Sequence, residues 1–267
     1  MKATSFLLPL ILSFIVFTSC KENNNIKSLE SDSDAPEKKT IVMVKLKNSP
    51  AYEDAALMLG IPDIIQLDEP GSIDFNFGIE NFDLGKQTES ANAKILANSG
   101  KGQHIHFILN NQPYSAHYTN TFQKDIKEEG VYHLVAFLSR SYHESVKNDN
   151  SIVVRKVEVG KNLQQESDLD MNAPTLIYSR PKGKYVGSDA NNILLDFFVL
   201  NTKLSKTDSK VRATINEEVF MITDWVPHVL QNLPMGEVTI KLELLDNHDK
   251  LIPGPFNSVT RTIILEE

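Results

Sequence analysis

The sequence predicts an all-β protein of two tandem β-sandwiches behind an N-terminal leader and a polar tether. Three observations carry this. From Ile41 the chain runs in short apolar or alternating stretches separated by Gly, Pro, Asn and Asp, such as 41–46 (IVMVKL), 73–77 (IDFNF) and 130–138 (GVYHLVAFL). Only residues 52–59 have the pattern for a helix of any length. The chain also resembles itself: at an offset of 106, residues 104–159 lie on 210–265 without a gap, pairing Asn110 with Asn216, Gly130 with Gly236, Leu138 with Leu244 and Arg155 with Arg261. Upstream the offset becomes 120, pairing Ile73 with Ile193, Phe77 with Phe197 and Asn81 with Asn201, so the first copy carries about fourteen extra residues around 86–102. The expected division is a first sandwich over 40–160 and a second over 161–267.

Residues 1–19 have the form of a secretory signal: Lys2, then the apolar run 6–17 (FLLPLILSFIVF), too short to span a bilayer comfortably. The run ends Phe17-Thr18-Ser19-Cys20, which resembles the lipobox of bacterial lipoproteins. That resemblance implies lipidation of Cys20, a mature chain that begins there, and a lipid-anchored place in the bacterial cell envelope. Which leaflet it faces is left open. Cys20 is the sole cysteine, so no disulfide is available and the protein must stand on its apolar core. Residues 20–39 hold hardly an apolar side chain and read as a flexible tether. Once Lys2 is lost with the leader, 26 of the 27 basic residues remain against 35 acidic ones. An acidic chain without a Lys/Arg cluster argues against nucleic acid as a partner, and leaves the lipid as the membrane link.

In the second copy, residues 233–246 (LPMGEVTIKLELLD) alternate apolar with Thr, Lys and Glu behind a Gly turn. This stretch resembles the penultimate strand of bacterial immunoglobulin-like modules, which implies two immunoglobulin-like β-sandwiches and no activity. The whole chain resembles a group of bacterial, Bacteroidota-like envelope lipoproteins in which a His-x-His strand precedes an Arg-x-x-His-Glu-Ser loop. That group brings no activity with it.

Five of the seven histidines fall within residues 104–143. Carrying the second copy's alternation back to the first puts His104, His106 and His133 on the outer sheet face, where the second copy has Lys210, Arg212 and Thr239. Three imidazoles from neighbouring strands suit Zn or Cu, with His117 or a carboxylate as a fourth ligand. The bland alternative is that they are polar side chains bonded to their neighbours. Side chains splayed apart, or buried under the second sandwich, would exclude the metal.

The same face carries Val131, Val135 and Phe137, where the second copy has Glu237, Lys241 and Glu243. An apolar outer face is rarely left bare; the loop around Ile95 and Leu96, the second sandwich or a partner protein is expected to cover it. With Tyr114, Tyr132, Arg140, Tyr142, His143 and Glu144 nearby, it has the composition of a recognition surface. The leading expectation is a non-enzymatic binding module acting through this face, with a protein partner at the envelope. A metal-binding protein is the alternative. A lower-ranked third reading is phosphopeptide binding, because Ser139-Arg140-Ser141-Tyr142-His143 is similar to the Ser-Arg-x-His motif of forkhead-associated domains, one residue too long. Ser141, His143, Glu144 and Ser145 crowd one loop, but no Gly-x-Ser-x-Gly elbow accompanies them, so no residue is assigned to catalysis. Trp225 reads as a core or interdomain anchor.

Overall fold

Alternation sets the strands. In the computed structural model, which describes residues 40–161, 163 and 169–267, Ile73, Phe75 and Phe77 turn into the core while Asp74 and Asn76 between them face solvent. The signal, Cys20 and the tether of residues 20–39 lie outside the described residues. The strands of the first half are β1 (Val42–Lys45), β2 (Ala56–Leu59), β3 (Ile64–Leu67), β4 (Gly71–Glu80), β5 (His104–Leu109), β6 (Ser115–His117), β7 (Thr121–Ile126), β8 (Gly130–Ser139) and β9 (Ile152–Val159). Those of the second are β10 (Thr175–Arg180), β11 (Gly183–Val186), β12 (Ile193–Leu200), β13 (Lys210–Ile215), β14 (Glu218–Ile222), β15 (His228–Gln231), β16 (Gly236–Leu245) and β17 (Ser258–Glu266).

The first sandwich packs the sheet β2-β4-β7 on β3-β9-β8-β5-β6, and the second packs β1-β15-β12-β10 on β11-β17-β16-β13-β14. In each, a short early strand runs parallel to the last one (β3 with β9, β11 with β17), and the remaining pairs are antiparallel. The fold is therefore two tandem immunoglobulin-like β-sandwiches. The offset of 106 recurs in the pairing: Gly130 faces Val159 as Gly236 faces Leu265, and His104 faces Ser139 as Lys210 faces Leu245. The turn chemistry repeats as well. Asn110 (φ 48°) accepts the His133 N–H at 2.8 Å, and Asn216 (φ 52°) accepts the Thr239 N–H at 3.0 Å. Asn tolerates this left-handed backbone better than most residues.

Three features differ from expectation. Residues 52–59 form no helix; Leu57 and Leu59 are buried around exposed Met58, a two-residue period that pairs with β4. Strand β1 belongs to the second sandwich, where it pairs with β15 and sends Ile41 into the second core, although its position in sequence suggests the first. The third concerns the apolar face. Ile108, Tyr114, Val135 and Phe137 pack against Ile177 and Phe198 of the second sandwich, with the Phe137 and Phe198 rings 4.5 Å apart. Trp225 bridges this seam and the second core, as an anchor would. Asn111 acts as a polar clasp: its amide donates to Leu176 O (3.0 Å) and Phe256 O (3.3 Å) and accepts the Tyr178 N–H (2.8 Å). The inserted segment adds Leu96, packed with Tyr142, Leu194 and Val229.

The expected recognition surface is thus an internal interface. Val135, Phe137 and Tyr142 are fully buried, and Tyr114, Arg140 and Glu144 nearly so. Tyr132 is half-buried, its hydroxyl donating to Glu128 O at 2.8 Å. Of the named set Val131, Tyr132 and His143 keep appreciable exposure. The phosphopeptide reading loses its contacts too, since Ser139, Arg140 and Ser141 are buried and Arg140 spends its guanidinium on Ser145 O, Pro50 O and Glu144.

Candidate metal centre

His104 and His106 alternate onto one face of β5, opposite Ser139 and Phe137 at the end of β8. Because β5 and β8 are antiparallel, the loop after β8 starts beside the first residue of β5. That loop is tied down at several points. Ser139 bridges to Ser145, Arg140 N–H donates to Glu144 O (2.9 Å), and His143 N–H donates to Arg140 O (2.9 Å). The Arg140 guanidinium meets Glu144 at 3.2 Å, and Lys147 anchors the loop's end on Asp196 of the second sandwich at 2.7 Å. His143 adopts φ 70°, a left-handed conformation uncommon outside Gly, which aims its ring back at His104.

Three imidazole nitrogens converge there. His104 Nε2 lies 2.9 Å from His106 Nε2 and 3.2 Å from His143 Nδ1, and one ligand atom from each ring falls within 4.8 Å of the others. Ligands at about 2.0–2.1 Å around a tetrahedral zinc stand about 3.3 Å apart. Two of the outer ring nitrogens have hydrogen-bond partners. His104 Nδ1–H donates to Gly102 O at 2.8 Å, which leaves its Nε2 bare, and His106 Nδ1 meets Ser179 Oγ at 3.2 Å. Hydrogen bonds can satisfy the neutral trio, with His106 Nε2–H donating to His104 Nε2 and the Tyr114 hydroxyl to His143 Nδ1; a cation between the three nitrogens would take the place of those bonds. Tyr114 stacks on His106 (centroids 3.4 Å, 11°) and brings its hydroxyl to 3.2 Å from His143 Nδ1.

All three rings are neutral near pH 7. Burial lowers the His104 pKa to about 4, partly offset by the Gly102 carbonyl. Burial, then the neighbouring His104 and His143, holds His106 well below the ordinary value. For His143 burial leads, followed by the positive field of Arg180. Neutral imidazole is the ligand form. His104 and His106 lie under the second sandwich and His133 stands apart from them, so the expected site of His104, His106 and His133 is excluded on both counts; the trio completed by the half-buried His143 is a different set.

The other two expected ligands stand apart. His106 is opposite Phe137, so His133 sits four residues further along β8, about 13 Å away at about 3.3 Å per residue. There it stacks on Phe256 (5.5 Å, 9°) with Nδ1 lacking a hydrogen-bond partner. His117 pairs with Ile105 on the opposite face, stacks on Phe122 at 3.4 Å and meets Ser115 Oγ at 2.9 Å.

Burial also lowers His133 and His117 to about 4, Lys124 adding to the effect at His117. Their folded-state values lie below that of the unfolded chain, so between pH 6.5 and 4 the unfolded state binds more protons. The stability is complete above about pH 6.5 and is lost as pH falls toward 4. For the nearly inaccessible His133 the loss reaches about 2–3 kcal/mol at pH 4.5. Denaturant titrations at pH 7 and 4.5 should show a smaller fall in His133→Phe than in the wild type; equal falls would show that His133 is not neutral and buried.

No protein-family model matches the chain, and no curated protein matches it. Among solved structures, the chain is similar to the fibronectin(III)-like modules of Clostridium thermocellum CbhA, at 13% identity over 79% of this chain and 94% of that one, with a TM-score of 0.27. It is also similar to the two tandem V-type regions of VCBP3, a v-region-containing chitin binding protein, at 8% identity over 80% and 99% of the chains, TM-score 0.24. A third is Bacteroides ovatus SGBP-B in complex with a mixed-linkage heptasaccharide, at 9% identity, TM-score 0.22, over 79% of this chain and 47% of that one. Likenesses this distant assign neither a family nor an activity.

Proposed function

We propose that this protein is a metal-binding module in which two immunoglobulin-like sandwiches hold one zinc or copper ion at their seam through His104, His106 and His143. The observation that supports it is the placement of His104 Nε2 at 2.9 and 3.2 Å from the two other imidazole nitrogens, with Gly102 O fixing its tautomer. Buried ligands are no obstacle to a resident ion, since structural sites are closed; they disfavour rapid exchange. A lipid on Cys20 would place the module in the bacterial envelope, tethered by residues 20–39. A protein partner would need a surface other than the apolar face, which the second sandwich occupies. No residue is given a catalytic role: Ser141 Oγ accepts the Thr88 N–H and Ser145 Oγ accepts from Lys147. Elemental mass spectrometry on the purified protein tests the reading. About one zinc or copper per chain is expected, and none in the variant with His104, His106 and His143 all replaced by Ala. Absence of both metals after incubation with each would end it.

A further inference from the structure

Beside the histidines, the second sandwich presents cations without anions. Arg180 ends β10, Lys182 follows two residues later, and Arg261 lies on β17; both arginines are more than nine-tenths buried and Lys182 is half-buried. Among the described residues no carboxylate comes within 4.0 Å of any of the three. The buried acids are engaged elsewhere: Glu144 with Arg140, Asp196 with Lys147, Glu243 with Arg212 and Lys241.

Neutral groups satisfy the three cations unevenly. Arg261 donates to Ser179 O (3.3 Å) and Asn111 O (3.0 Å) and lies 4.2 Å over the Tyr178 ring. Lys182 donates to Tyr114 O (2.6 Å) and rests 3.6 Å over the Tyr114 ring. Arg180 donates to Tyr185 Oη (2.9 Å) and lies 5.4 Å from the Tyr114 ring centroid, but its buried Nε has no partner. The cations also act on one another, since Arg180 and Arg261 add to burial in lowering Lys182 to about 8. Buried charge is ordinarily paired, and an unpaired guanidinium offers a planar fork of donors that fits an oxyanion.

We propose that Arg180 and Lys182, with the Tyr114 hydroxyl beside them, bind a small oxyanion of the carboxylate or phosphate type next to the histidine cluster. The site does not depend on a metal. An anion here offsets the seam's positive charge whether or not His104, His106 and His143 hold an ion.

The test is a thermal-midpoint titration of purified, chelator-treated protein with inorganic phosphate and, separately, acetate, at an ionic strength held constant with chloride. A saturable rise with either is expected, and the stronger of the two identifies the phosphoryl or carboxylate class. Lys182→Met and Arg180→Gln should each weaken the interaction about tenfold or more. Lys182 is half-buried, so its variant decides the matter if Arg180→Gln fails to fold. No saturable rise beyond chloride, or an unchanged rise in Lys182→Met, overturns the proposal. Repeating the titration on zinc-loaded protein separates the two sites. Phosphate or acetate binding without zinc uptake removes the metal reading alone, and zinc uptake without either anion removes the anion site alone.

Discussion

Phe137→Ala should cost about 3–5 kcal/mol of folding free energy and lower the thermal midpoint by about 10 °C. Phe137 is wholly buried at the centre of the seam, 4.5 Å from the Phe198 ring and 5.2 Å from that of His106, its ladder partner on β5. Its truncation opens a cavity on the side of the sheet that faces the second sandwich, where little can collapse to fill it. Phe77→Ala, inside the first sandwich, should cost a similar amount; the two differ in the second readout. Only Phe137→Ala undercuts His106 and should impair metal retention. A cost below about 1 kcal/mol would mean that the two sandwiches do not pack through this face.

Lys147→Met should be nearly as damaging, at about 3–5 kcal/mol. The Asp196 side chain is completely buried, and Lys147 Nζ meets it at 2.7 Å while also donating to Ser145 Oγ (2.8 Å) and Phe197 O (3.0 Å). Removing the ammonium leaves the carboxylate in the interior with only the Ser145 N–H, at 3.1 Å, to stabilise it. The penalty belongs to the abandoned charge and not to the worth of the pair, so Lys147→Met combined with Asp196→Leu should recover much of the loss. Urea unfolding of the two single variants and the double variant measures this coupling directly. A single-variant cost under about 1 kcal/mol would contradict the buried pair that ties the 140–147 loop to the second sandwich.

The architecture was legible because its causes are local and repeated. Two-residue alternation in β4 and β16, the Asn-and-Gly turns, and an offset of 106 that survives in the strand registers all leave marks in sequence. Strand β1 was not legible: nothing in 42–45 says which of two similar sheets it will join. The candidate site was half legible. Parity along β5 puts His104 and His106 on one face, and alternation does the same for His133, but a shared face is not a shared position. Strands β5 and β8 are not joined by a hairpin, so no turn sets their register, and the pairing of His106 with Phe137 carries His133 to the far end. The third histidine of the cluster had a signal that could be read. Antiparallel neighbours place the loop after Ser139 beside the first residue of β5, and His143 lies in that loop. The covering of the apolar face follows from shape, which alternation does not encode. Arg180, Lys182 and Arg261 come from separate points in the second half of the chain, and only the packed seam brings them to the histidines.

The comparison that bears most directly on the central claim is the metal content of His143→Ala against His133→Ala, measured by elemental mass spectrometry beside the wild type after incubation with zinc and, separately, copper. His143 converges with His104 and His106, whereas His133 stacks on Phe256. The predicted result is about one ion per chain in the wild type and in His133→Ala, and a loss of most of it in His143→Ala. Equal retention in both variants, or no metal in the wild type, would contradict a metal centre at the seam.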